Sequence, residues 1–259
     1  MNRVAHWLSR PESTIELNLS YRGLKTLRPE RIENLTDLTG LDLSGNKLTA
    51  LPPEIGNLTN LIYLALGNNQ LTALPSEIGN LSNLRVLELH DYSRSLDSPG
   101  NPLTVLPPEI GNLTSLDTLD LNENELTELP QEIGNLTNVV DLVIGNNHLT
   151  TLPPEIGNMT NLGRLHLYEN ELEALPHEIG KLTNLWQLSV WHNKLATLPP
   201  EIGNLINLED LNLSNNLLTV LPPEIGNLSN LKELHLNGNP IAALPSEIYG
   251  LTDLKIWSD

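Results

Sequence analysis

A 23-residue period runs through nearly the whole chain, and it restricts the possible folds more tightly than any other feature of the sequence. The segment LPPEIGNLTNLIYLALGNNQLTA starts at Leu51, and recognisable copies start at Leu74, Leu106, Leu129, Leu152, Leu175, Leu198, Leu221 and Leu244. Successive starts lie 23 residues apart except between Leu74 and Leu106, where the step is 32. Two degenerate copies come first, with paired leucines at Leu17/Leu19 and Leu41/Leu43. A unit this short cannot bury its own leucines, so copies must stack, each covering its neighbour's apolar face.

Each copy reads LxxLxLxxNxL followed by a proline-rich return, as in Leu61, Leu64, Leu66, Asn69 and Leu71. The alternation around the paired leucines predicts a short strand with the leucines turned inward. The Asn that follows suits a turn, where its amide can bond backbone groups leaving the strand, so the stacked copies should carry a ladder of such Asn. In the return, LPPEIGNL, proline fixes φ and glycine permits a tight bend, so at most a short 3₁₀ or helical turn is expected. Ten strands at about 4.8 Å give a sheet roughly 45 Å long on the inner wall of an arc, because the bulkier return side splays outward. Leucine supplies most of the apolar side chains, and with no Phe, no Cys and only four Trp, one aliphatic shape fills the core.

Both ends of such a stack need covers. Residues 1–13, with Val4, Trp7 and Leu8, are expected to form the first, ahead of about ten repeats over 14–250 and a partial terminal repeat over 251–259. In that last repeat the 23-residue spacing puts Trp257 where a leucine would fall. Lys and Arg number 14 against 32 Asp and Glu, a formal charge of -18 that repels nucleic acid and anionic membrane surfaces. The absence of cysteine favours a reducing compartment. The opening MNRVAHWLSRPEST has no uninterrupted apolar run of signal-peptide or membrane-spanning kind. A cytoplasmic location is the resulting expectation, with secretion as the alternative.

The run LPPEIGNLTNLxxLxLxxNxLTxLP resembles the 23-residue leucine-rich-repeat class of bacterial intracellular and Ras-group-related proteins, over roughly residues 14–259. That resemblance implies an α/β solenoid: a right-handed leucine-rich-repeat superhelix, or horseshoe arc, with a parallel β-sheet on the concave face and short 3₁₀ or loop segments on the convex face. Plant receptor-type repeats are similar in IGNLTNL but insert a glycine and read LTGxIP, where this chain reads LTALP over 71–75, a departure that points away from a receptor ectodomain. Functionally the resemblance implies binding alone, since the fold hosts many unrelated tasks.

Catalytic patterns are absent: there is no GxxxxGK[ST], HExxH or GxSxG, and no histidine pair at metal-ligand spacing on a helix. No catalytic residue, metal or cofactor is expected. Asn-Leu-Ser/Thr recurs at Asn34, Asn57, Asn80, Asn112, Asn135 and Asn227, but it recurs because the repeat does, and Lys181 and Ile206 break the sequon while keeping the repeat.

Information lies instead in the positions that vary. Between and beside the paired leucines, large side chains gather late in the stack: Arg164, His166, Tyr168, Gln187, Trp191 and His192 fall on adjacent strands of the inner face. Tyr168 and Trp191 are expected to be substantially exposed there, as the centre of a partner-binding patch. Upstream, Glu88, Asp120, Glu123, Asp141 and Glu169 make the wall acidic and suit a basic partner segment. The second candidate is the insertion at 90–100, where His90, Asp91, Tyr92 and Arg94 are placed to contact a partner from the rim. Deleting residues 91–99 is expected to leave the thermal midpoint nearly unchanged, because loop length costs little; a collapse of the midpoint would show the segment to be structural. The expected partner is a protein or peptide bound by a monomeric, non-enzymatic scaffold. The alternatives are a recognition domain of a larger signalling protein and a secreted or surface adhesin.

Overall fold

The computed structural model describes residues 15–90 and 100–259. The expected amino-terminal lid with Val4, Trp7 and Leu8 lies outside these residues, as do Asp91, Tyr92 and Arg94 of the insertion. Eleven parallel strands form one sheet in strict chain order. They are β1 (Glu16–Asn18), β2 (Gly40–Asp42), β3 (Tyr63–Ala65), β4 (Val86–Glu88), β5 (Thr118–Asp120), β6 (Asp141–Val143), β7 (Arg164–His166), β8 (Gln187–Ser189), β9 (Asp210–Asn212), β10 (Glu233–His235) and β11 (Lys255–Trp257). The first leucine of each pair is the register-keeper: Leu64 pairs with Leu87, Leu87 with Leu119, and Leu142 with Leu165. A one-residue slip would turn these leucines to the other face, so the apolar pattern sets the pairing.

Returns from Pro53–Asn57 to Ser246–Gly250 are 3₁₀ turns, as the proline-rich segment predicts. The degenerate second copy instead makes one α-helical turn, α1 (Pro29–Ile32), with proline at its first position. Inside the stack the core-row leucines and isoleucines are buried, and only the end coils leave theirs half-buried: Leu17, Leu19 and Leu24 at one end, and Leu244, Leu251 and Ile256 at the other.

Glycine in the returns has a different role from the one its sequence position suggests. These glycines do not need the left-handed region; they mark where one coil's backbone meets the next. A Cβ on Gly157 would lie 2.6 Å from the Glu178 carbonyl oxygen, and one on Gly180 would lie 2.6 Å from that of Glu201. Tyr249 stands at this position in the last return and is 73% exposed, so the close approach made between inner coils is barred at that face.

The expected Asn ladder is present. Asn170 accepts from Leu149 N at 3.0 Å and donates to Ile144 O at 2.8 Å, one coil back, and to Leu167 O at 3.1 Å in its own coil. A second ladder runs along the outer side, where Asn161 and Asn184 donate to Thr137 O and Thr160 O. The asparagines of the recurring sequon are exposed.

The carboxyl-terminal strand corrects one expectation. The last copy is a residue short between Leu254 and Ile256, so Ile256, not Trp257, pairs with Leu234 in the core row. Trp257 falls on the inner face, pairs with His235 and stacks on its ring at 5.8 Å with the planes 3° apart. The Asp259 carboxylate closes the coil by accepting from Gly238 N at 2.6 Å.

Candidate binding face

Register places the patch in three rows across β6 to β9. The first is Asp141, Arg164, Gln187 and Asp210, and the second is Val143, His166, Ser189 and Asn212. The third follows one residue beyond the second leucine of each pair: Gly145, Tyr168, Trp191 and Ser214.

Tyr168 and Trp191 stack with centroids 5.1 Å apart and planes 6° from parallel. Gly145 makes this possible, since a side chain there would run into the Tyr168 ring. Tyr168 lies over that gap and Trp191 lies over Tyr168. His166 meets Tyr168 edge-on at 6.3 Å, and His192 meets Trp191 edge-on at 6.2 Å. Such stacks contribute about 0.5–1.5 kcal/mol beyond the area they bury. Tyr168 and Trp191 are therefore half-buried rather than broadly open, while His192 is exposed.

Backbone geometry at the end of each strand fixes where the rings sit. Glu169 and His192 hold φ of 51° and 57°, in the left-handed region that costs a side-chain-bearing residue about 1–2 kcal/mol. Ladder residues hold them there: Asn193 donates to Val190 O at 3.0 Å and to Trp191 O at 3.3 Å, while His192 N donates to Ser214 O at 2.8 Å.

The polar row is largely self-satisfied. Arg164 Nη2 donates to Asp141 Oδ2 at 2.6 Å, and Gln187 Nε2 donates to Asp210 Oδ2 at 2.9 Å. Because Asp141 is only 3% exposed, removing Arg164 would strand a buried charge. Arg164 also stands 5.7 Å over the ring of Trp186. Sequence reasoning missed Trp186, which sits beside Gln187 at the amino-terminal rim. The signal was available in Gly163, one coil earlier in the same row, whose lack of a side chain leaves room for the indole.

The acidic wall is narrower than its residue types suggest. Asp120 is wholly buried, with Oδ1 accepting from Asn122 N at 3.0 Å, and Asp141 is committed to Arg164. Glu88 accepts from the Tyr63 hydroxyl at 2.9 Å. His90, expected as a rim contact, is instead 6% exposed with Nε2 3.1 Å from Glu123 Oε2. The strand end turns it against the neighbouring coil rather than outward. Below the aromatic stack, Lys194 bonds Glu171 at 2.8 Å and holds its carboxyl below the usual range, with His148 adding to the effect; Glu171 in turn raises the Lys194 ammonium.

Among the described residues no cluster of three or more His, Asp or Glu side chains is arranged to hold a metal ion. No helix among them is long and apolar enough to cross a membrane.

The comparisons agree with this geometry. The family described as "Leucine-rich repeat region" matches residues 16–99 and 94–197, and "Leucine rich repeat" matches 183–241. No curated protein matches the chain. Among solved structures, a TDR receptor is similar at 31% identity and TM-score 0.80, over 95% of this chain and 42% of that one. The plant peptide hormone receptor RGFR1 in complex with RGF2 is similar at 34% identity and TM-score 0.68, over 93% and 43%. An internalin (inlF) from Listeria monocytogenes, at 23% identity and TM-score 0.55 over 96% and 87%, shares the fold. The chain spans about two fifths of the two receptor chains. With LTALP at this place in its repeat, the chain still superposes on a receptor's arc.

Proposed function

We propose, because this chain belongs to the leucine-rich-repeat family, that it is a non-enzymatic scaffold that binds a protein or peptide against its concave face around residues 164–192. The observation that carries this reading is the Tyr168–Trp191 stack. Two large rings, half-open to solvent, are held by a left-handed turn and the Asn ladder in a sheet whose other inner-face rows are mostly small or polar. Rigid aromatic groups are the usual energetic centre of an interface. The RGFR1 complex with RGF2 shows a similar arc with a partner in place.

A second reading is a recognition domain of a larger protein, the setting in which the two receptor chains, of which this chain spans about two fifths, hold a similar arc. In either setting the inner face is the contact. A basic partner segment has less to hold than the residue types suggest, since Asp120 and Asp141 are closed off; Glu169 remains half-open.

Affinity capture from the source cell tests the reading. A Tyr168→Ala/Trp191→Ala bait is expected to lose its specific partner by at least about tenfold relative to the native chain, the scale of one interface hot spot. Identical recovery on both baits would move the binding site elsewhere.

A further inference from the structure

A second aromatic platform lies on the same strands as the first, at their opposite ends. Val140 is 48% exposed and Trp186 42%. Gly163 separates them: a Cβ there would come within 2.9 Å of the indole nitrogen and 3.4 Å of Val140 Cγ1. The row continues as charge on both sides, with Arg85 paired to Asp117 and Lys232 paired to Glu209 at 2.7 Å. Three coils of apolar surface thus interrupt a rim of ion pairs. Five residues of one chain separate Trp186 from Trp191, about 16 Å at the rise of a strand.

We propose that the partner is an extended protein segment that crosses the sheet along β7 and β8. One bulky apolar side chain rests on the Val140–Gly163–Trp186 shelf, and a second, four or five residues away, rests on the Tyr168–Trp191 stack. This deepens the inner-face reading and rests on it. The span selects an extended chain, since five residues of helix cover only about 7.5 Å. Charge favours an apolar one over β6 and β7, where Asp141 is neutralised by Arg164. Asp210, bonded at one oxygen by the neutral Gln187 amide, keeps its charge on β9 at the side of the crossing. The ion-paired rim on either side keeps the desolvated contact to these three coils.

The probe is a random library of linear dodecapeptides displayed on phage and selected against the full chain. Recovered peptides are then measured against Trp186→Ala, Trp191→Ala and a surface control, Val105→Ala, each checked for an unchanged thermal midpoint. The expected result is a loss of at least about tenfold for each tryptophan variant and none for the control. An alanine scan of the peptide is expected to show two apolar anchors four or five residues apart. Loss with Trp191→Ala but not Trp186→Ala would keep the inner-face reading and overturn the crossing. Loss with neither, or a selection that yields no peptide, would overturn both.

Discussion

Gly157→Ala is expected to lower the unfolding free energy by about 2 kcal/mol or more, while Gly250→Ala leaves it unchanged or raises it by up to about 1 kcal/mol. Neither glycine has a positive φ, so backbone conformation alone predicts that alanine stabilises both by restricting the unfolded chain. Surroundings reverse the sign at one of them. A Cβ on Gly157 would lie 2.6 Å from the Glu178 carbonyl oxygen and 2.8 Å from its Cβ, whereas at Gly250 nothing lies within 4 Å. Glu178 sits in a 3₁₀ turn that is itself packed on the next coil, so making room at one interface strains another. Urea unfolding followed by both tryptophan fluorescence and circular dichroism checks this, because a stack can lose cooperativity at a weakened interface and the two probes then separate. Equal midpoints for the two variants would mean that these glycines serve the bend and not the coil-to-coil approach.

That distinction shows what was legible in the sequence. Periodicity sufficed for the strand rows, the 3₁₀ returns and the Asn ladder, because each is a short-range consequence of one repeated unit. The purpose of the return glycine was hidden because the contact it permits is with a residue 21 positions later, Gly157 with Glu178. Trp257 was misplaced for a related reason. Register follows the apolar residue that can be buried, and Ile256 takes that place once the last copy is one residue short. At the site, residue type indicated which side chains were large but not which were already engaged. Arg164, Asp141, Gln187 and His90 all find partners one coil away, and a strand-by-strand reading does not pair them. Trp186 was overlooked because its exposure depends on the glycine in the preceding coil.

Asn193→Ala is expected to cost about 3 kcal/mol or more, and Asn124→Ala markedly less, although both replace the same letter of the repeat. Asn193 is 8% exposed. It accepts from Leu172 N at 3.0 Å and donates to Leu167 O at 2.9 Å, both one coil back, and to Val190 O and Trp191 O in its own coil. Alanine leaves the buried Leu172 N–H without a partner, at a cost on the order of 1–3 kcal/mol. It also takes one of two donors from each of the Leu167, Val190 and Trp191 carbonyls, whose other donors are Asn170 Nδ2, Asn216 Nδ2 and Glu169 N, at about 0.5–1.5 kcal/mol each. Among the described residues Asn124 has no bond across coils: its donors reach Leu121 O and Asn122 O, both at 2.9 Å, and its buried Oδ1 has no partner there. In regular copies one carbonyl serves two rungs, as Leu167 O does for Asn170 and Asn193, whereas at the longer copy Leu89 O accepts from Asn101 Nδ2 at 3.0 Å and not from Asn124, so this rung is incomplete. The Asn193 substitution carries a second consequence at the binding face. With the Trp191 carbonyl held only by Glu169 N beside the left-handed His192, the Tyr168–Trp191 stack loosens, and the near-ultraviolet circular dichroism of the folded variant is expected to weaken. Equal destabilisation by the two substitutions would show that bonds between coils contribute nothing beyond the turn that each Asn closes in its own coil.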